Sequence, residues 1–175
     1  MDFTVRPFAR EELPLVAASF PLRGLPHAHD QRLAAQERGE ATYFAAWRAG
    51  SAVGLALARW TGPIEADFGP LLQHLGAHPY VEGLAVLEQH RSAGIGTSIM
   101  QTIEAAAVGR GCSRVGLAVG VDNYAAQRFY KRIGYEDAGI GQFQVTWPFV
   151  GPNGESGVEG ETCIYMLKEL DPSQL

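Results

Sequence analysis

Between residues 80 and 137 the chain alternates strand and helix patterns so regularly that few folds can accommodate it. Tyr80, Val81, Glu82, Gly83, Leu84, Ala85, Val86 and Leu87 form a mostly apolar run, as expected of a central strand covered on both faces. A polar turn follows, and then Ile95, Ile99, Met100, Ile103 and Ala107 recur at helical spacing until Gly109 and Gly111 stop the helix. Residues 114–120 read as the next strand, with Val115, Leu117 and Val119 on one side. Asn123 can cap a helix carrying Ala126, Phe129, Tyr130 and Ile133, Gly134 closes it, and Tyr135 starts another strand.

The flanking segments supply the rest of one α/β (α+β) domain. Residues 4–8 read as a strand, Glu11 and Glu12 begin a helix that Pro21, Gly24 and Pro26 break, and a second helix runs over 29–38. Strands at 42–47 and 51–60 flank the turn Arg48, Ala49, Gly50 as a hairpin. Glycine and proline punctuate 62–79, which is expected to be loop with one helical turn at 71–75. In 139–160 six of twenty-two residues are glycine, which predicts a mobile excursion or a distorted hairpin, and the chain then enters a last strand at 162–167. The expected fold is a mixed sheet of about seven strands with four helices on its two faces, a single domain over 1–175.

Charge and composition exclude several functions. Fourteen Lys plus Arg against nineteen Asp plus Glu leave none of the basic excess that nucleic-acid binding needs. The longest apolar stretches, 13–20 and 52–58, fall far short of the ~20 residues of a membrane helix. The first of them follows two arginines as in a leader peptide, but Glu11, Glu12, Pro14 and Pro21 interrupt it, so the expected location is cytoplasmic. Cys112 and Cys163 have no metal or disulfide spacing. His74 and His78 are four apart, yet Gly76 and Pro79 oppose a helix there and no glutamate follows His74, so no metal is expected. Arginine outnumbers lysine twelve to two, a compositional hint of a high-GC bacterial source.

Arg91, Ser92, Ala93, Gly94, Ile95 and Gly96 lie between strand and helix, where free amides and the positive helix end can hold a pyrophosphate. The dinucleotide pattern fails because position 99 is Ile99, and the Walker pattern fails because the two lysines are Lys131 and Lys168. The strand and loop from Val86 to Gly96 resemble the acyl-CoA motif Arg/Gln-x-x-Gly-x-Gly/Ala of the GNAT superfamily of N-acetyltransferases. Asn123, Tyr130 seven residues later, and Gly134 with Tyr135 resemble the second half of that signature. The resemblance covers 80–137, with departures at Glu88, where the family often has proline, and at Ser92, where glycine or a basic residue is frequent.

The resemblance implies a GNAT-like, mostly antiparallel sheet and acetyl-CoA as cosubstrate, with no metal. Amides of Ser92, Ala93, Gly94, Ile95, Gly96 and Thr97 would take the pyrophosphate, with Arg91 fixing the loop. Backbone groups of Leu84, Ala85 and Val86 would hold pantetheine as an added strand, and an amide there would polarise the thioester. Asn123 would contact the pantetheine arm and Tyr130 would be the general acid at sulfur. Each has a plain alternative, a helix cap for Asn123 and a core aromatic for Tyr130.

Glu82, an unusual carboxylate in an apolar strand, is the candidate base, its pKa raised by partial burial; the alternative is a structural pair with an arginine such as Arg59. His78, Glu65 and Asp67 are the fallbacks, while the glutamate that some members place five residues before the asparagine is Ala118 here. Phe143, Trp147 and Phe149 suggest that 139–160 is an apolar flap that contacts substrate. The expected acceptor is a primary amine of a small molecule or peptide: an aminoglycoside, suggested by the Glu82-Gly83 start of the strand, a polyamine, a peptide amino terminus or an amino-acid derivative. The acyl group is acetyl or longer. The rival expectations are a non-catalytic acyl-CoA-binding or sensing module and a protein adaptor. The final strand offers a surface for a homodimer.

Overall fold

β2 (Ala41–Arg48) and β3 (Ser51–Arg59) are buried along almost their whole length, because helices cover both faces of the sheet that they anchor. The computed structural model describes residues 2–171 apart from 23, 26 and 64–68. β1 (Thr4–Pro7), a 3-10 turn at Arg10–Glu12, α1 (Leu13–Ser19) and α2 (Ala28–Glu37) precede this hairpin. After it come a 3-10 segment at Gly69–Leu75, β4 (Tyr80–Val86), α3 (Ile95–Val108), β5 (Arg114–Gly120) and α4 (Tyr124–Arg132). The chain ends in β6 (Glu136–Asp137), β7 (Phe143–Val150) and β8 (Ser156–Glu169). The strand order is β1-β2-β3-β4-β5-β8-β6, with β7 paired to β8, and all pairs are antiparallel except β4 with β5.

One side of the sheet packs against α3 through Ile95, Ile99, Met100 and Ile103. The other packs against α1 and α2 through Val16, Leu33 and Tyr43. A third cluster, Leu72, Tyr80, Phe143, Cys163 and Tyr165, lies between the 3-10 segment and the β7 and β8 strands.

Two irregularities in β4 shape everything that follows. Its parallel pairing with β5 covers two positions, Tyr80 with Gly116 and Val81 with Leu117, and stops there. Against β3 it continues to Val86, so among the described residues the β4 edge beyond Val81 has no strand on its β5 side. Between Glu82 and Ala85 the β4 register gains one residue over β3, a bulge in which Gly83 has φ +65°. That left-handed angle is one glycine adopts without steric cost. The bulge also resets the alternation: Val81, Leu84 and Val86 pack towards α3, and Ala85 and Leu87 towards α1 and α2.

The expectation for 139–160 is corrected in form. The segment is a regular hairpin, with Phe143 opposite Cys163 and the register unbroken to Val150 opposite Ser156. Phe143, Val145, Trp147 and Phe149 alternate with more exposed residues along β7, the period of a half-buried strand. The amide of Val150 donates to the Gly24 carbonyl at 2.8 Å, which ties the hairpin to the α1–α2 connection. The last strand therefore begins at Ser156, six residues before the expected start.

Candidate active site

The turn after β4 is built to leave backbone donors free. Arg91 is extended, Ser92 has φ 62° and Gly94, the residue before α3, has φ 80°. The first amide engaged by the helix is that of Ser98, which donates to the Gly94 carbonyl at 2.9 Å. Amides from Ser92 to Thr97 therefore have no acceptor among the described residues: those of Gly94 to Thr97 are the four that any helix start leaves open, and the turn adds Ser92 and Ala93. Their dipoles add to the positive end of α3 and make this turn a site for an anion.

The turn opens into a cleft of about 700 Å³. One wall is β4, through Leu84, Ala85 and Val86, where the strand has left β5. A second is the turn itself, through Arg91, Ser92, Gly94, Ile95, Gly96 and Thr97. The third is α4, through Asn123, Ala126, Phe129 and Tyr130. Of the cofactor residues expected from the sequence, Ala93 does not line the cleft, although its amide is free. His90, Ala125, Ala126, Phe129 and Arg132 line it and were not anticipated. The spacing of Ala126, Phe129 and Tyr130 after Asn123 is the signal that they share a helix face.

Asn123 is a helix cap, its Oδ1 accepting from the Ala126 amide at 3.1 Å, and it also borders the cleft. Tyr130 packs edge-on against Phe129 and Tyr135, with ring centroids 5.2 and 5.8 Å away. It is 9% exposed, and its hydroxyl has no hydrogen-bond partner among the described residues. Burial pushes the phenol up to about 12, so at neutral pH it is a proton-bearing donor.

Glu82 lies outside that cleft, on the α2 side of the bulge, and the anticipated pairing with Arg59 is present. Arg59 Nε donates to Oε2 at 3.0 Å and Nη2 to Oε1 at 3.3 Å, while Arg32 Nε donates to Oε1 at 3.3 Å. Arg32 Nη1 donates to the Tyr43 hydroxyl at 3.2 Å. His29 Nε2 faces the Phe20 carbonyl at 2.8 Å and so carries the proton, which leaves Nδ1 to accept from Tyr43 at 3.0 Å. Arg32, Tyr43 and His29 leave no signal of this network in the sequence, since their hydrogen bonds join α2 to β2.

His78 stands apart from both groups, beside a separate pocket of about 300 Å³ with Leu72 and Gln73. Its Nδ1 donates to the Gly76 carbonyl and its Nε2 accepts from Tyr165, each at 2.8 Å, and burial lowers its pKa. Both ring nitrogens are thus engaged. Glu65 and Asp67 lie outside the described residues. Among the described residues there is no cluster of three metal-ligating side chains, and no helix is long and apolar enough to cross a membrane.

The model of the acetyltransferase (GNAT) family matches residues 11–135. The chain is 34% identical over 76 residues to the mouse (Mus musculus) thialysine N-epsilon-acetyltransferase, a match covering 43% of this chain and 45% of that protein. It spans less than half the length of the curated relatives it matches. Among solved structures, the ribosomal-protein-alanine N-acetyltransferase of Brucella melitensis superposes with TM-score 0.66 at 19% identity, over 95% of this chain and 99% of that one. Arabidopsis thaliana Naa50, in complex with the bisubstrate analogue CoA-Ac-MVNAL, gives 0.64 at 18% identity, over 97% and 100%.

Proposed function

Because the chain belongs to the acetyltransferase (GNAT) family, we propose that it moves the acetyl group of acetyl-CoA directly onto a primary amine. The observation that carries this reading is one cleft that joins a turn of unengaged amides to a buried phenol whose hydroxyl has no partner among the described residues. The amides of Ser92 to Thr97 hold the pyrophosphate, and Arg91 adds its charge beside them. The open edge of Leu84, Ala85 and Val86 receives the pantetheine amides as a strand would, and an N–H of that edge polarises the thioester carbonyl. Asn123 borders the same arm.

The amine reaches the thioester through the gap where β4 leaves β5. Its nitrogen attacks the carbonyl carbon, the C–N bond forms, the C–S bond breaks, and the sulfur takes the Tyr130 proton. Burial that raises the phenol also raises a thiolate beside it, so donor and leaving group remain matched. The ammonium gives its first proton to Glu82, directly or through water, before attack, and the second, released from nitrogen as the C–S bond breaks, restores the Tyr130 phenol. Three of the roughly four acceptor positions of that carboxylate are taken by Arg32 and Arg59, which leaves one on Oε2.

Release of thiol from acetyl-CoA with a panel of amines tests the reading. A sensing module would bind acetyl-CoA without amine-dependent release, and an adaptor would not bind it. For Glu82→Gln the expected result is a loss of rate concentrated below the pKa of the amine, which is near 10 for an alkylammonium. A pH–rate profile with unchanged shape would take Glu82 out of the proton path.

A further inference from the structure

Two guanidiniums share one carboxylate on the α2 side of the β4 bulge, and all three groups are largely withdrawn from water. The side chains of Arg32, Arg59 and Glu82 are 14%, 10% and 16% exposed. Within this cluster two guanidiniums share one carboxylate, and Glu40, the further carboxylate that feels Arg59, is itself paired with Arg38. The neighbouring phenol does not supply a second counter-ion, since burial raises the Tyr43 pKa and keeps it neutral. An excess charge held in poorly hydrated surroundings is stabilised by an anion placed against it.

The hydrogen bonds show which group is available to that anion. A guanidinium has five N–H donors in a fixed plane. In Arg32, Nε is committed to Glu82 and Nη1 to Tyr43, whose own proton is committed to His29. Nη2 has no hydrogen-bond partner among the described residues. It lies over Gly83, close enough that a Cβ at that residue would stand 3.0 Å from it. Gly83 is exposed and forms the bulge at which β4 and β5 separate. A nearly buried guanidinium held by two hydrogen bonds thus has its free edge beside the bulge at which the two strands separate.

We propose that Arg32 binds a carboxylate of the acceptor, so that the substrate is an amine that also carries an acid group, an amino acid or a close derivative of one. The assignment rests on the acetyl-transfer reading above. Nη2 receives the carboxylate while the remaining acceptor position on Glu82 receives the ammonium, and the two lie on neighbouring groups of one ion-pair cluster. Polyamines and aminoglycosides, which bring only positive charge, meet an excess of positive charge at this face.

The test is amine-dependent thiol release with matched acceptors: free amino acids, the corresponding amino-acid amides, and diamines. The expected result is that acids exceed their amides in kcat/KM by roughly 10- to 100-fold, the range for a hydrogen bond to a charged group. In Arg32→Gln the acid-to-amide ratio falls to within about threefold, mainly through KM for the acid. Arg32→Lys keeps the charge without the fork and gives an intermediate ratio. Unfolding midpoints of both variants show whether they are folded. Amides or diamines turned over as well as acids by the wild type would overturn the assignment and leave acetyl transfer standing. Arg32→Gln lowering acids and amides by the same factor would reduce Arg32 to a structural role. No thiol release with any amine, despite acetyl-CoA raising the midpoint, would remove the transfer reading and the assignment with it.

Discussion

Replacing Tyr130 by phenylalanine is expected to lower kcat by ~10²-fold or more while the protein still binds acetyl-CoA. The substitution removes a hydroxyl that has no partner among the described residues and leaves the ring contacts with Phe129 and Tyr135 intact. Folding therefore loses no hydrogen bond, and the change reads out on chemistry. Only the protonated phenol can serve the leaving sulfur. With the group at about 12, wild-type activity is retained as pH rises past the amine's own pKa and is lost only as pH approaches that value. Steady-state thiol release across pH, alongside thermal unfolding with and without acetyl-CoA, separates the two effects. A variant with wild-type kcat would show that Tyr130 is packing alone.

Gly96→Val is expected to abolish acetyl-CoA binding at working concentrations, a loss of at least ~10²-fold in affinity. A Cβ at Gly96 would meet the Phe129 ring at 3.3 Å and a Val86 methyl at 3.8 Å, the atoms that bring α3, α4 and β4 together around the cleft. The added methyls of valine enter the space between these walls, beside amides assigned to the pyrophosphate. Overpacking of this kind costs about 1–3 kcal/mol, which lowers the midpoint of the free protein by roughly 2–12 °C in a chain of this size. Titration calorimetry reads the binding and unfolding reads the packing. Gly96→Ala, which asks the ring to yield by a few tenths of an ångström, should keep the fold and bind more weakly than wild type. Full affinity in the alanine and valine variants would place the pyrophosphate elsewhere.

The legible part of the molecule was the part where local rules and the global fold agree. Ile95, Ile99, Met100 and Ile103 announce α3 by spacing, Asn123 marks the start of α4, and the alternation of strand and helix patterns from 80 to 137 carries the order of elements there. The hairpin at 143–163 differs from the expected excursion or distorted hairpin in being regular, because the alternation of Phe143, Val145, Trp147 and Phe149 prevails over the glycines and proline of the segment. Pro148 lies within β7 and does not interrupt that register.

Within the site, what the sequence withheld is what only tertiary structure creates. The glycine in an otherwise apolar strand is a signal for a bulge at Gly83, and the bulge turns Glu82 away from the cleft towards α2. Arg32 is fifty residues from Glu82 in sequence, one of several arginines, with nothing local to single it out. The burial of Glu82 was read correctly, but its company was only half foreseen, since the partner from β3 was anticipated and the partner from α2 was not.

The central claim is that the cleft between β4, α3 and α4 holds acetyl-CoA, and the midpoint of thermal unfolding with and without that molecule tests it most directly. At about 100 times its dissociation constant the ligand adds ~2.7 kcal/mol to the folded state, which in a chain of this size raises the midpoint by roughly 5–10 °C. That rise, absent in Gly96→Val, is the result the account predicts. A midpoint unmoved by acetyl-CoA and by longer acyl-CoAs would contradict it.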